Sequence, residues 1–348
     1  MNEQVKKFLI ALVKLLVIIG IFAFLIERAA RQDAFTEFLK RDKNWWFLLV
    51  GFFFSLAAIV MTLIRWRWLV VALGVKLSLN EALRIGFIGL LFNLSPMGIV
   101  GGDVVKTCIL GRKYPGTMIK SAASVIVDRV IGLYVMFLIA MIMVFVTGFF
   151  HKTQYEARFA VTAVIVLTVA ATVCILVLMS PDSQRGMRHR IIRGLPLVGE
   201  LLDRLTVALQ TYRNQKATLF YSCLITFFVH ASFSVSLYFI AMGLFDYSPS
   251  CLEHFVLYPV ANTGSIIPLS AGPLEYFLDT LYPLFEIPGH ETYRAGFGMM
   301  AGIVFRLAGI LVTGVGMIYY LGSRSEISDA LKTMDANQDE NSQTTQEQ

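Results

Sequence analysis

Two sets of residues in this chain have the types and spacing to hold an anion. The stretch FNLSPMGIVGGDVVKTCILGRK, residues 92–113, carries Asn93, Pro96, Gly101, Gly102, Asp103 and Lys106, and Arg129 follows in ASVIVDRVIGL. The stretch VANTGSIIPLSAGPLEYFLDTLYP, residues 260–283, carries Asn262, Pro268, Gly272 and Glu275, and Arg306 follows in AGIVFRLAGIL. The acid trails the proline by seven residues both times, from Pro96 to Asp103 and from Pro268 to Glu275. Glycine lets a ligand approach the main chain, and proline removes a donor and ends a helix. A half-helix beginning near Asp103 would aim free N–H groups at an anion, unless Asp103 itself caps them. Arginine adds a planar fork that matches phosphate.

The expected substrate-binding set is therefore Asp103, Arg129, Glu275 and Arg306 around one cavity, with Gly101, Gly102, Lys106, Asn93 and Asn262. Each member also has a plainer reading. The acids and arginines serve equally as ion pairs that hold their segments down, since a charge at the bilayer centre costs about 2.5–3.5 kcal/mol and needs a partner. Asn93 and Asn262 are caps first and ligands second. Asp128, beside Arg129, is a rival partner for an arginine, and Lys106 and Lys120 suit snorkelling as well as lipid phosphate. His230 reads as a satisfied polar contact before a proton relay.

The elements that must position these residues are apolar. Of 348 residues, 56% are hydrophobic and 16% charged, well under the quarter usual in soluble domains. Mean hydropathy is +0.67. Runs long enough to cross a bilayer, about 20 residues each, lie near 8–26, 45–64, 120–148, 159–179, 217–243 and 293–321. Two further segments, 81–111 and 251–287, are broken in the middle by Pro and Gly. Irregular backbone at membrane depth is tolerated only where protein buries it or a wet cavity receives it, so each is read as a hairpin that dips in and returns. Lys6 and Lys7 precede a run longer than a signal peptide's apolar core, so the first run is read as an uncleaved span.

Loop charge sets the orientation. Residues 180–216 carry Arg185, Arg188, Arg190, Arg193, Arg204, Arg213 and Lys216, whereas 244–254 has neither Lys nor Arg. The first is placed in the cytoplasm and the second outside, which puts both termini inside. Residues 65–80 also fall inside; residues 27–44, although rich in Lys and Arg, fall outside with Glu27, Asp33, Glu37 and Asp42. The expected fold is an all-α polytopic membrane protein of six spanning helices plus two re-entrant half-helix hairpins, arranged as an inverted repeat. Its halves are 1–150 and 151–322, followed by a polar tail, 323–348, read as disordered. Glu81 and Glu253, early in the two hairpins, extend the match between halves. Val198, Leu201, Leu202, Leu205 and Leu209 fall at helical spacing and predict a helix on the inner surface.

Several functions are set aside. The net charge of +6 belongs to cytoplasmic loops and not to nucleic-acid binding. Cys108, Cys174, Cys223 and Cys251 show no paired spacing for a disulfide framework or zinc site. There is no Asp-rich metal motif, no nucleophile with its base and no phosphate-binding nucleotide loop. Neither enzyme activity nor a cofactor is expected.

The quoted stretches, with their GGD and DR elements, resemble the lysylphosphatidylglycerol synthase transmembrane region, a flippase-like family, over nearly the whole chain except the tail. The second motif, SAGPLE, is shorter than the family's usual glycine-rich loop. The resemblance implies an inner-membrane protein that moves lipid between leaflets. Relatives that aminoacylate lipid carry an added soluble transferase domain, so that activity is not expected here. Others serve polyprenyl-phosphate sugar pathways. The implied partner is a membrane lipid or lipid-linked intermediate; a lipid-modifying enzyme is a second. A membrane-embedded enzyme or an accessory subunit of lipid or polyprenyl-phosphate glycan synthesis remain the competing functions.

Overall fold

The computed structural model describes residues 3–31, 38–94, 99–178, 199–266, 269, 271–285 and 296–322. Pro96, Pro268, most of the arginine-rich loop and the polar tail lie outside them. Among the described residues the chain is helical, with no strands. Twelve α-helices follow in order: α1 Glu3–Ala30, α2 Trp45–Ala72, α3 Leu79–Asn93, α4 Ile99–Lys113, α5 Met118–Val146, α6 Tyr155–Leu178, α7 Gly199–Thr211, α8 Lys216–Leu244, α9 Cys251–Asn262, α10 Pro273–Leu281, α11 Phe297–Thr313 and α12 Val315–Leu321.

Five stretches among the described residues have the length and composition to cross a membrane: Trp45–Ala72, Met118–Val146, Tyr155–Val177, Lys216–Leu244 and Phe297–Leu321, the last taking in α11 and α12. The sixth expected span falls within α1, a continuous helix of 28 residues. Only 11% of the α6 window is buried. Phe159, Val166, Val169, Val173 and Leu176 stand exposed, a surface that requires lipid around it. Trp45 and Trp46, more than 70% exposed at the start of α2, are suited to a bilayer interface. The protein is a multi-pass membrane protein.

Both broken segments form helix pairs. A 15-residue helix is about 22 Å long, short of a 30 Å hydrocarbon core. α3 and α4 have 15 residues each, and α9 and α10 have 12 and 9. α3 packs on α4, and α9 on α10. Both leading helices start with the same device. The Ser78 hydroxyl accepts from the Glu81 N–H while the Glu81 carboxylate accepts from the Ser78 N–H. Ser250 and Glu253 repeat this, each box satisfying donors that a helix start leaves orphaned. Glu81 and Glu253, matched by sequence alone, thus do the same job.

The chain divides into two compact units, each built around one hairpin. The first comprises the described residues within 1–62, 131–176 and 223–312 and holds α9 and α10; the second comprises those within 63–130, 177–222 and 313–322 and holds α3 and α4. In the second unit, Glu81 also binds Lys113 and receives the Tyr114 hydroxyl at 3.3 Å, tying the start of α3 to the end of α4. The Lys113 bond is the main cause that holds the Glu81 carboxyl well below the usual carboxylate range, at about 2. In the first unit the buried Tyr282 hydroxyl lies 3.0 Å from His254 Nε2 and ties α9 to the end of α10.

One boundary expectation changes. Residues 65–72 are not loop: α2 runs on to Ala72, so Arg65 lies inside a helix. The predicted helix exists as α7, Gly199–Thr211; of its apolar set, Val198 lies outside the described residues. Leu209 and Tyr212 are buried, and the Tyr212 hydroxyl donates to the Leu69 carbonyl at 2.8 Å.

Candidate functional site

In the second unit the site begins where α3 and α4 cross. Gly102 is a contact glycine. A Cβ there would lie 2.0 Å from the Gly89 carbonyl oxygen, closer than real Cβ atoms come. Close backbone approach through small residues is how membrane helices pack without a hydrophobic drive between them. Asn93 bridges the same crossing: its Oδ1 accepts the Gly102 N–H at 3.0 Å. Gly101 is buried beside it.

This register carries Asp103 to Arg129 on α5. Arg129 Nε donates to Asp103 Oδ2 at 2.8 Å and Nη2 to Oδ1 at 3.1 Å, a two-pronged bond. The expected helix start at Asp103 is corrected. α4 begins four residues earlier at Ile99, so Asp103 sits in its second turn, and the N–H of its neighbour Gly102 is taken by Asn93. Asp128 has its own partner: Arg65 Nε donates to Asp128 Oδ1 at 2.7 Å, both side chains being under 10% exposed. Lys106 is buried, with Nζ 4.0 Å from Asp103 Oδ1 and 5.4 Å from the centre of the Trp66 ring.

In the first unit, Glu275 is the third residue of α10 and fully buried. Its Oε2 accepts the Gly272 N–H at 2.9 Å. Gly272 has φ +103°, a conformation that favours glycine, and Pro273 opens the helix. The acid thus stands at a helix start here, where Asp103 does not. Arg306 Nη2 donates to Glu275 Oε2 at 2.9 Å and its Nε donates to Oε1. Gly298, Gly302 and Arg306 recur every four residues on α11. A Cβ at Gly298 would lie 2.3 Å from the Leu278 carbonyl oxygen, and one at Gly302 would lie 3.3 Å from the Glu275 Cα. Glycine again sets the close approach and an arginine finishes it.

Asn262 is not brought to the Glu275 pair: its Nδ2 donates to Met136 Sδ at 3.2 Å. His230 Nε2 donates to the Gly132 carbonyl at 3.0 Å. Arg65, Trp66 and Asp279 were missed as site neighbours. Asp279, one turn after Glu275 and 1% exposed, accepts the Gly296 N–H at 2.5 Å and lies 3.6 Å from Arg28. Its spacing from Glu275 and its apolar context were the available signals.

Membrane-length helices and two capped hairpins, each with an arginine clasping a carboxylate, define a class of polytopic all-α membrane protein. The sequence profile of the lysylphosphatidylglycerol synthase transmembrane region matches residues 11–316. The chain belongs to that family, which ties it to membrane lipid. No curated protein and no solved structure gave a match.

Proposed function

We propose that this protein moves a phosphate-bearing lipid, or a lipid-linked phosphate intermediate, between the leaflets of the inner membrane. In this reading six spans carry two re-entrant hairpins that enter from opposite faces, with both termini cytoplasmic. The observation that supports it is one arrangement occurring twice: a Ser-x-x-Glu-capped leading helix, a returning helix, and a carboxylate on that helix held by an arginine well inside the next long helix. A headgroup crossing alone must shed its water in hydrocarbon. A guanidinium fork replaces that water, and a side-opening path leaves the acyl chains in lipid. Arginine has five N–H donors and Asp103 takes two of Arg129's, whose side chain is 42% exposed. A phosphate can therefore join Arg129 without displacing Asp103.

In reconstituted vesicles the protein is expected to speed leaflet exchange of a labelled anionic phospholipid without nucleotide. Arg129→Ala slows it about tenfold or more, the loss implied by a charge-assisted hydrogen bond of about 1.5–3 kcal/mol. Arg129→Lys recovers part, because lysine lacks the fork. Wild-type exchange in Arg129→Ala would make the arginine structural. No exchange by wild type for any phosphate lipid would overturn transport in favour of an enzyme or accessory role.

Topology has its own check. In a cysteine-free background, single cysteines at positions 115 and 248 are expected to label from the cytoplasm and from outside respectively. Labelling of both from one side removes the inverted repeat.

A further inference from the structure

Lys106 is the most loosely matched charge of the α3–α4 cluster among the described residues: its acid, Asp103, is shared with Arg129. Two ion pairs adjoin it: Asp103–Arg129, and Arg65–Asp128, whose members neighbour Trp66 and Arg129 in sequence. Both carboxylates are engaged by guanidinium groups, Asp128 by Arg65 and Asp103 by Arg129. Among these residues three cations thus share two carboxylates. Lys106 Nζ stands 4.0 Å from Asp103 Oδ1, beyond hydrogen-bond reach. Its other neighbour among the described residues is the Trp66 ring, at 5.4 Å. The residue is 5% exposed, so it does not reach out as an interfacial lysine would.

The position is also built. The Lys106 stem runs over Gly89 of α3, where a Cβ would lie 2.7 Å from Lys106 Cε and 2.8 Å from Cγ. The absent side chain is what admits the stem. A buried ammonium held this way, with its carboxylate shared and 4.0 Å off, gains from a further anion.

We infer that Lys106 is a second phosphate-binding group beside Arg129, and that a phosphate oxygen completes the contacts of its ammonium. Arg129 and Asp103 stay paired and position α4 beside it. The inference rests on the lipid-phosphate reading above and adds a second donor to the one that Arg129 supplies.

The test uses the full chain in neutral detergent with Trp66 as the only tryptophan, Trp45, Trp46 and Trp68 being changed to phenylalanine. It is titrated with phosphatidylglycerol, with diacylglycerol of the same chains, and with inorganic phosphate. A saturable change in Trp66 emission is expected with phosphatidylglycerol and not with diacylglycerol, as phosphate draws the ammonium from the ring. The same change with inorganic phosphate assigns the seat to free phosphate as well; no change with it assigns the seat to the lipid headgroup. Lys106→Met, which keeps the stem, weakens the response at least about tenfold, and Lys106→Arg stays within about threefold. An undiminished response in Lys106→Met, or none to either phosphate ligand in the parent, overturns the inference. Where Lys106→Met does not fold, the contrast between phosphatidylglycerol and diacylglycerol in the parent decides. Because binding is read without transport, a Lys106-dependent response in a protein that exchanges no lipid sinks the transport reading and leaves this one standing.

Discussion

Glu275→Leu is expected to destabilise the solubilised protein by about 3 kcal/mol or more, in the range for removing one partner of a buried ion pair. Glu275 is fully buried and does two jobs. It accepts the Gly272 N–H at the start of α10, and it receives both prongs of Arg306. Leucine removes the cap and the countercharge together. The neighbourhood has little room to relax, since Gly298 and Gly302 bring α11 against the α10 backbone. Adding Arg306→Met is expected to recover most of the loss, because a matched apolar pair replaces a buried ion pair at little cost. A double-mutant cycle by thermal melting or denaturant titration in detergent measures the coupling. Wild-type melting of Glu275→Leu would show the pair to be energetically idle. Asp103→Leu gives the contrast: it leaves Arg129 over 40% exposed and Lys106 without its nearest acid. Its larger loss is expected in lipid exchange.

The pairing of acids with arginines was legible because both halves repeat the spacing. Asp103 and Glu275 sit seven residues beyond a proline, and an arginine follows inside the next apolar run. The Ser-x-x-Glu starts were visible only as matched glutamates, yet they are standard helix-start chemistry. Other features depend on packing that no local window contains. The α4 start cannot be placed from Asp103 because Gly102 against Gly89 fixes the register from another helix. Arg65 and Asp128 are 63 positions apart, and Asp128 has the more conspicuous Arg129 beside it in sequence. Arg65 itself looked like a loop cation because the apolar run weakens there, although α2 continues. The face of α7 reads as membrane-seeking from periodicity alone, yet Leu209 at its end is buried by protein. Periodicity reports that a face is apolar and not what covers it.

Gly102→Ala is expected to cost about 2–3 kcal/mol of stability, the upper part of the range for overpacking, and to reduce lipid exchange about tenfold or more. Helix propensity argues the other way, since alanine is favoured over glycine by about 1 kcal/mol inside a helix. Packing wins here because of what the new methyl group would strike. It would lie 2.0 Å from the Gly89 carbonyl oxygen and 2.3 Å from Asn93 Oδ1. The first is backbone, so α3 and α4 must separate for it to fit. Separation stretches the 3.0 Å bond from the Gly102 N–H to Asn93 and lifts the seat of the Lys106 stem on Gly89. It also shifts Asp103, the next residue, against the 2.8 Å and 3.1 Å prongs of Arg129. Gly309→Ala supplies the control. It too lies in a helix, but a Cβ there meets nothing within 4 Å, so propensity acts alone and the protein is expected to be unchanged or up to about 1 kcal/mol more stable. Melting curves of the two variants in the same detergent separate the effects. If Gly102→Ala melts at or above wild type, as Gly309→Ala is expected to, the close crossing of α3 and α4 does not set the geometry of the Asp103–Arg129 pair.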